Sequence, residues 1–113
     1  MRILNQTKHS TLAKDAKVAD SPLARIQGLL GKKGLEKGSA LILSPCNSIH
    51  TFFMRFTIDA LFVDKNNAVI ACRPCMKANR ASRIYWQAHC VVELPCGTIA
   101  ATSTTAGDTL LFE

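Results

Sequence analysis

The chain has 113 residues, of which 48% are apolar and 19% are charged. This length supplies one hydrophobic core and not two, so we expect residues 1–113 to form a single domain. The composition excludes a disordered or fibrous protein. No apolar run approaches the roughly 20 residues that cross a bilayer, so a membrane partner is not expected.

Residues 1–18 contain no apolar segment of the kind found in secretory signals, and the predicted compartment is therefore the cytoplasm. Thiols stay reduced in that compartment, and five cysteines cannot all pair within one chain. We therefore predict no structural disulfide. The cysteines are Cys46, Cys72, Cys75, Cys90 and Cys96.

The net charge of +6 is unevenly distributed. Arg2 to Lys37 carries eight basic residues, and the stretch from Lys65 to Val92 contains five basic residues and no acid. Such an excess raises affinity for polyanions in general without selecting one of them.

The first predicted elements are short strands at Ile3-Leu4 and at Thr11 to Ala13. The clearest helix signal covers Pro22 to Leu30, where Asp20 or Ser21 can cap the helix and proline suits its first turn. The run "ALILS" predicts a buried strand that ends before Pro45.

The next stretch, Ile49 to Asp64, combines a helical spacing of apolar residues with the β-branched and aromatic composition of a strand. We favour strand. As one straight strand, its 16 residues would extend roughly 53 Å at about 3.3 Å per residue. The expected radius of gyration is only about 13 Å. We therefore predict a bend or break between Arg55 and Ile58.

The C-terminal half predicts a hairpin with its turn at Asp64 to Asn67, followed by an irregular connection over residues 73–87 with a short helix after Pro74. Further strands are expected at His89 to Pro95 and at Thr109 to Glu113. Five to seven short strands and one helix indicate a mainly β, β-rich α+β fold. We expect a small barrel or a curled sheet.

The order "R-x-x-GLLG…L…G-x-A-L-x-L…P-C-N-S-I-H-T-F-F-M-x-F-x-I-D-x-x-F-x-D", followed by "V-x-E-L-P-x-G-T" and a terminal "G-D", resembles the family catalogued as a domain of unknown function, DUF 192. The resemblance runs from Arg25 to Phe112. It implies a mainly β single domain and supplies no biochemical activity. The segment after "CRPC" departs from the family pattern.

Two residue sets contain His50. His50 and Met54 suit a soft metal, but on one strand their Cα atoms lie roughly 13 Å apart, too far for one ion. Cys46, His50 and Asp59 are the residue types of a nucleophile, its base and an orienting acid. No strained turn presents Cys46, so we lean against an enzyme.

Cys72 and Cys75 form a C-x-x-C motif, which serves redox exchange or zinc binding in other proteins. The alternating β/α context of redox proteins is missing, and the remaining cysteines do not repeat the zinc-site spacing. No phosphate loop or dinucleotide fingerprint occurs. We therefore predict no cofactor and no metal, and keep a metal- or thiol-dependent protein using Cys72/Cys75 or Cys46/His50 as an alternative.

The basic run through Arg80 and Arg83 leads into Tyr85-Trp86, and cations beside exposed aromatic rings suit single-stranded nucleic acid. The alternative, which we prefer, is a solvated loop whose Trp86 anchors it to the core. Two acids that interrupt apolar runs, Asp59 and Glu93, would need a partner if buried, and Arg55 or Arg25 could supply it.

The sequence favours a small non-enzymatic binding module for a small molecule or a partner protein. Its predicted ligand-binding residues are His50, Arg55, Asp59 and Trp86, which interrupt or adjoin core-forming segments. The alternatives are the metal- or thiol-dependent protein and a weak single-stranded nucleic-acid binder that uses the basic loop at residues 73–86.

Overall fold

A computed structural model describes residues 1–21, 23–24, 28–29 and 32–113. These residues form eight strands and one short helix. In chain order the elements are β1 (Ile3–Asn5), β2 (Ser10–Ala13), β3 (Asp15–Ala19), β4 (Ser39–Leu43), β5 (Ile58–Val63), β6 (Val69–Met76), β7 (Cys90–Pro95), α1 (Thr98–Thr102) and β8 (Leu110–Phe112).

The strands make two sheets, one with the order β2-β1-β8 and one with the order β3-β4-β7-β5-β6. Strands β3 and β4 run parallel, and the other pairs are antiparallel. The predicted mainly β fold is confirmed. Of the two expected forms, a small barrel or a curled sheet, the barrel is wrong for the described part of the chain, because β3 and β6 are separate edges of the larger sheet.

Both faces of the larger sheet are covered. On one face, Leu61 and Val63 of β5 join a core with the smaller sheet and α1. On the other face, Ile58, Ala60 and Phe62 join a second core that includes parts of the connecting loops. Strand β5 is buried along its whole length. Burial on both faces explains why this strand lacks the polar alternation of a half-exposed strand.

The predicted break before Ile58 is confirmed, but the segment ahead of it is not a strand. Residues 51–57 form turns and bends, and His50 makes an isolated bridge with Ala81. Phe53 has a φ of 66°, in the left-handed region, which a strand does not use. The predicted hairpin between β5 and β6 and the strands near both termini are confirmed.

The predicted helix after Pro74 is wrong, since β6 continues through this residue to Met76. A proline is tolerated there because β6 is an edge strand, so the backbone on its outer side forms no hydrogen bonds to another strand. The predicted helix from Pro22 to Leu30 falls largely outside the described residues. Within them, the Ser21 hydroxyl accepts a hydrogen bond from the Ala24 N–H at 3.1 Å, as a helix N-cap would. No described helix is long and apolar enough to span a membrane.

Candidate functional site

Two loops beside the larger sheet are joined through the buried side chain of Thr51. Its hydroxyl donates to the Lys77 carbonyl and accepts from the Arg80 N–H at 2.9 Å. Its backbone N–H also donates to the Arg80 carbonyl at 2.8 Å. The bridge between His50 and Ala81 continues this pairing. The loop before β5 and the loop after β6 are therefore one supported unit.

Large apolar side chains project from these loops into solvent. Phe53 is 86% exposed and Trp86 is 80% exposed, while Phe52 and Ile84 are each more than two fifths exposed. The same two loops carry exposed basic side chains, and neither residues 47–57 nor residues 77–89 contain an acid. We call this the aromatic-basic surface: His50, Phe52, Phe53, Arg55, Lys77, Arg80, Arg83, Ile84 and Trp86.

The backbone at Phe53 is strained, because a bulky residue at a φ of 66° is a genuine outlier. The turn is closed by the Met54 N–H, which donates to the Thr51 carbonyl at 3.2 Å. Met54 itself is buried in the second core. The turn thus buries one large side chain and holds its neighbour, Phe53, out of the core.

The second loop is anchored to the core by Tyr85. The expected anchor, Trp86, is exposed, so that prediction is wrong. The Tyr85 ring lies 4.2 Å from the ring of Phe62, between ring centroids, and the Arg83 guanidinium lies 5.9 Å from the Tyr85 ring centroid. The Tyr85 N–H donates to the Asn47 carbonyl at 2.9 Å. Trp86 is left exposed beside this anchor.

The structure places three of the four predicted ligand-binding residues on the aromatic-basic surface. His50 is exposed and its ring stacks on Phe52 at 5.0 Å, and both Arg55 and Trp86 are exposed. Asp59 is not brought onto that surface, because it lies fully buried in β5.

The buried Asp59 carboxylate links β6 to α1. Its Oδ1 accepts from the Cys75 N–H and its Oδ2 accepts from the Ile99 N–H, each at 2.7 Å. Asp59 therefore has the partner that a buried acid requires, but the partners are backbone N–H groups and not the predicted arginine. Asp59 ties the end of β6 to the first turn of α1.

Cys75 and Cys96 form a disulfide with their Cα atoms 4.9 Å apart, so the prediction of no structural disulfide is wrong. The cysteines are 21 residues apart in sequence. Ile58 pairs with Met76 on one side and Pro95 on the other, which brings the neighbouring cysteines to the same end of the sheet. This pairing depends on strand order, and the sequence spacing does not show it.

Cys72 is not part of a C-x-x-C unit, since Cys75 is bonded elsewhere. Burial and the nearby carboxylates of Asp108 and Asp59 raise the pKa of the Cys72 thiol. Burial, with Cys46 nearby, raises the pKa of Cys90 to about 11. Protonated thiols are weak nucleophiles and weak metal ligands, so the geometry does not favour chemistry at these two cysteines.

Glu93 is a buried acid on the face of the second core, between Leu41 of β4 and Ala60 of β5. Its Oε1 is buried and has no hydrogen-bond partner in the described part of the chain. Burial raises the pKa of Glu93 to about 7. Of the two partners expected for it, Arg55 is exposed and Arg25 lies outside the described residues.

A second polar cluster closes the smaller sheet. The Asp108 carboxylate accepts hydrogen bonds from the Asn5 amide, the Lys8 ammonium and the Thr105 N–H. Burial alone would raise its pKa, but these donors outweigh burial and lower the pKa of Asp108 to about 2. Asp64 stabilises the β5–β6 turn by accepting hydrogen bonds from the Asn66 and Ala68 N–H groups.

The sequence profile of the DUF192 family, described as "Uncharacterized ACR", matches residues 3–112. This chain belongs to the DUF192 family. The resemblance found in the sequence motifs is thereby confirmed.

Two curated relatives are UPF0127 proteins of the genus Thermococcus. The protein of Thermococcus sibiricus is 29% identical over 118 residues, covering 98% of this chain and 74% of the relative. The protein of Thermococcus kodakarensis is 30% identical over 113 residues, covering 94% of this chain and 69% of the relative. Neither name states an activity.

Two solved structures share the fold. A protein of unknown function from Novosphingobium aromaticivorans matches with a TM-score of 0.83 at 14% identity, covering 98% of this chain and 82% of that one. A candidate transcription regulator from Sinorhizobium meliloti matches with a TM-score of 0.81 at 18% identity, covering 97% of this chain and 89% of that one. At these identities the likeness concerns the fold of this DUF192 protein and not its activity.

Proposed function

We propose that this DUF192 protein is a binding module and that its aromatic-basic surface engages a partner protein with acidic and apolar side chains. The observation that carries the proposal is the exposure of Phe53 and Trp86, at 86% and 80%, on loops fixed by the buried Thr51. Rigid exposed aromatics beside arginines are the typical hot spots of protein interfaces.

The exposed Phe53 and Trp86 rings carry a free-energy cost in the unbound protein, because transfer of apolar surface out of water is favourable. Contiguous exposed apolar groups rimmed by polar ones mark interaction sites in soluble proteins. The turn that exposes Phe53 is also strained, and strain of this kind concentrates at functional sites. Contact with a partner would remove both rings from water and use the pre-formed turn without further ordering.

Several observations favour a protein over a small molecule. The Phe53 and Trp86 side chains are largely exposed, at 86% and 80%. Four clefts elsewhere on the protein, such as the one between Leu4 and His9 and the one between Leu12 and Ala101, are lined by other residues. An exposed apolar and cationic surface complements a partner that offers an apolar recess with carboxylates at its rim.

In this proposal His50, Arg55 and Trp86 contact the partner directly. Arg55 supplies a charge-assisted hydrogen bond to a carboxylate, and Trp86 supplies apolar contact area. Asp59 acts indirectly, because it holds Cys75 at the end of β6, where the Lys77–Trp86 loop begins.

The single-stranded nucleic-acid alternative rests on one observation, the exposure of Lys77, Arg80 and Arg83 next to Trp86. We rank it second because Ile84, which is 47% exposed at the same place, adds apolar area and no base stacking. The organisation of residues 1–113 as one domain and the cytoplasmic location stay predictions. The Cys75–Cys96 disulfide weighs against the cytoplasm, where such bonds are rare.

The test is a peptide array in which Asp/Glu content and Leu/Phe content vary independently, with an oligothymidylate as the nucleic-acid probe. Binding is then measured in solution by the fluorescence of Trp86, the one tryptophan of the chain. We expect acidic, apolar peptides to bind and Phe53→Ala to weaken them at least about tenfold.

The matched control is Val18→Ala, which truncates an exposed apolar residue on edge strand β3 and should leave binding unchanged. If no acidic peptide binds, or if Phe53→Ala binds as wild type does, the proposal fails. Binding of the oligothymidylate without binding of any peptide would replace it with the nucleic-acid alternative.

A further inference from the structure

We propose that reduction of the Cys75–Cys96 disulfide creates a zinc site made of the two thiolates and the Asp59 carboxylate. One ligand atom from each of these residues lies within 4.8 Å of the other two. Both cysteines are exposed, so a reductant and a metal ion can reach them, while Asp59 forms the buried floor of the site. The inference is independent of the aromatic-basic surface.

The geometry suits a tetrahedral ion after a small rearrangement. Zn–S bonds of about 2.3 Å at the tetrahedral angle place two sulfurs roughly 3.8 Å apart. Once the sulfur–sulfur bond is broken, rotation of the two side chains supplies this separation, because their Cα atoms are already only 4.9 Å apart. Three protein ligands leave the fourth position for water or an external ligand.

The ligand set matches the metal. Thiolates select zinc and copper(I) over magnesium and calcium, and a carboxylate completes a borderline-soft site for zinc. The Asp59 oxygens are already oriented by the Cys75 and Ile99 N–H groups at 2.7 Å. Hydrogen bonds of this kind to a ligating carboxylate are the usual outer support of a metal site.

The redox step requires an external two-electron reductant, and a dithiol is one that can supply it. A thiolate of the dithiol attacks one sulfur of the Cys75–Cys96 bond, forms a mixed disulfide and releases the other cysteine as a thiolate. The second thiol of the reductant then displaces the remaining cysteine. The dithiol becomes a cyclic disulfide, and two electrons and two protons pass to the protein. Zinc binding afterwards releases the protons held by the two thiols.

The experiment titrates Co²⁺, and then Zn²⁺ in competition, into the protein reduced with a phosphine. Thiolate-to-cobalt charge-transfer absorption reports coordination by cysteine. We expect one Co²⁺ per reduced chain, displacement by zinc, and no charge-transfer band for the oxidised protein. The oxidised wild type is a control that needs no substitution.

Variants locate the ligands. The triple variant Cys46→Ser/Cys72→Ser/Cys90→Ser should keep the band after reduction, because the three thiols are outside the proposed site. Cys75→Ser should lose it, and Asp59→Asn should weaken Co²⁺ binding at least about tenfold. Absence of the band in the reduced wild type overturns the proposal. So does its loss in the triple variant, or its persistence in Cys75→Ser.

Discussion

Glu93→Gln should change how the stability of this protein depends on pH. The Glu93 side chain is only 3% exposed, and its Oε1 has no hydrogen-bond partner in the described ranges. Burial raises its pKa from 4.5 to about 7. Glutamine keeps the size and shape of the side chain and removes its ionisation, so the substitution isolates the charge.

The sign and size of the effect follow from proton linkage. The folded state holds its proton more tightly than the unfolded state, so the stability gained from a protonated Glu93 is fully present below pH 4.5. It is lost as pH rises through about 7. The shift in the pKa of Glu93 corresponds to about 3 kcal/mol of unfolding free energy, at ~1.4 kcal/mol per pH unit.

The assay is urea unfolding of wild type and Glu93→Gln between pH 4 and pH 8 at constant ionic strength. We expect the difference in unfolding free energy to move by about 3 kcal/mol in favour of glutamine over this range. Other titrating groups cancel in the difference. Glu36→Gln, at an exposed position, should show no such change. A difference between Glu93→Gln and wild type that stays constant with pH would show that burial does not raise the pKa of Glu93.

Three further predictions concern the site and its support. In buffer that contains a chelator, the double variant Cys75→Ser/Cys96→Ser should have a free energy of unfolding about 3 kcal/mol lower than that of the oxidised wild type. The reason is that the disulfide links residues 21 positions apart and so restricts the unfolded chain. An unchanged urea midpoint would contradict this. Phe53→Gly should be about 1 kcal/mol more stable than Phe53→Ala, since only glycine relaxes at a φ of 66°. Chemical denaturation that ranks alanine above glycine would show that the turn is unstrained. Asp59→Asn should cost about 2 kcal/mol by leaving one buried N–H without an acceptor, and exposed Asp15→Asn should cost nothing measurable.

Much of the fold follows from local signals. The apolar runs at β4, β5 and β7 identify buried strands, and Asp64 to Asn67 supplies the turn of the β5–β6 hairpin. The length of the segment from Ile49 to Asp64 correctly predicts a break before Ile58. These features depend on neighbouring residues, whose effects are readable from composition and spacing.

The candidate site is less predictable, because its parts lie far apart in sequence. His50 and Trp86 stand out as polar or aromatic residues at unusual positions, but Thr51, which joins their loops, carries no sequence signal. Asp59 attracts attention as an acid in an apolar run. Only the tertiary structure shows that its carboxylate accepts hydrogen bonds from the Cys75 and Ile99 N–H groups, next to the Cys75–Cys96 disulfide.

The residues read in order were enough to indicate a mainly β chain with the DUF192 motifs and an acid-free basic stretch that includes Tyr85 and Trp86. Tertiary structure alone decided that Cys75 meets Cys96, that Phe53 faces water while Met54 is buried, and that Glu93 is enclosed. The physical reason is that strand propensity and turn chemistry act over a few residues. The pairing of β5 with β6 and β7, by contrast, joins segments that are distant in sequence and become neighbours only when the whole sheet forms.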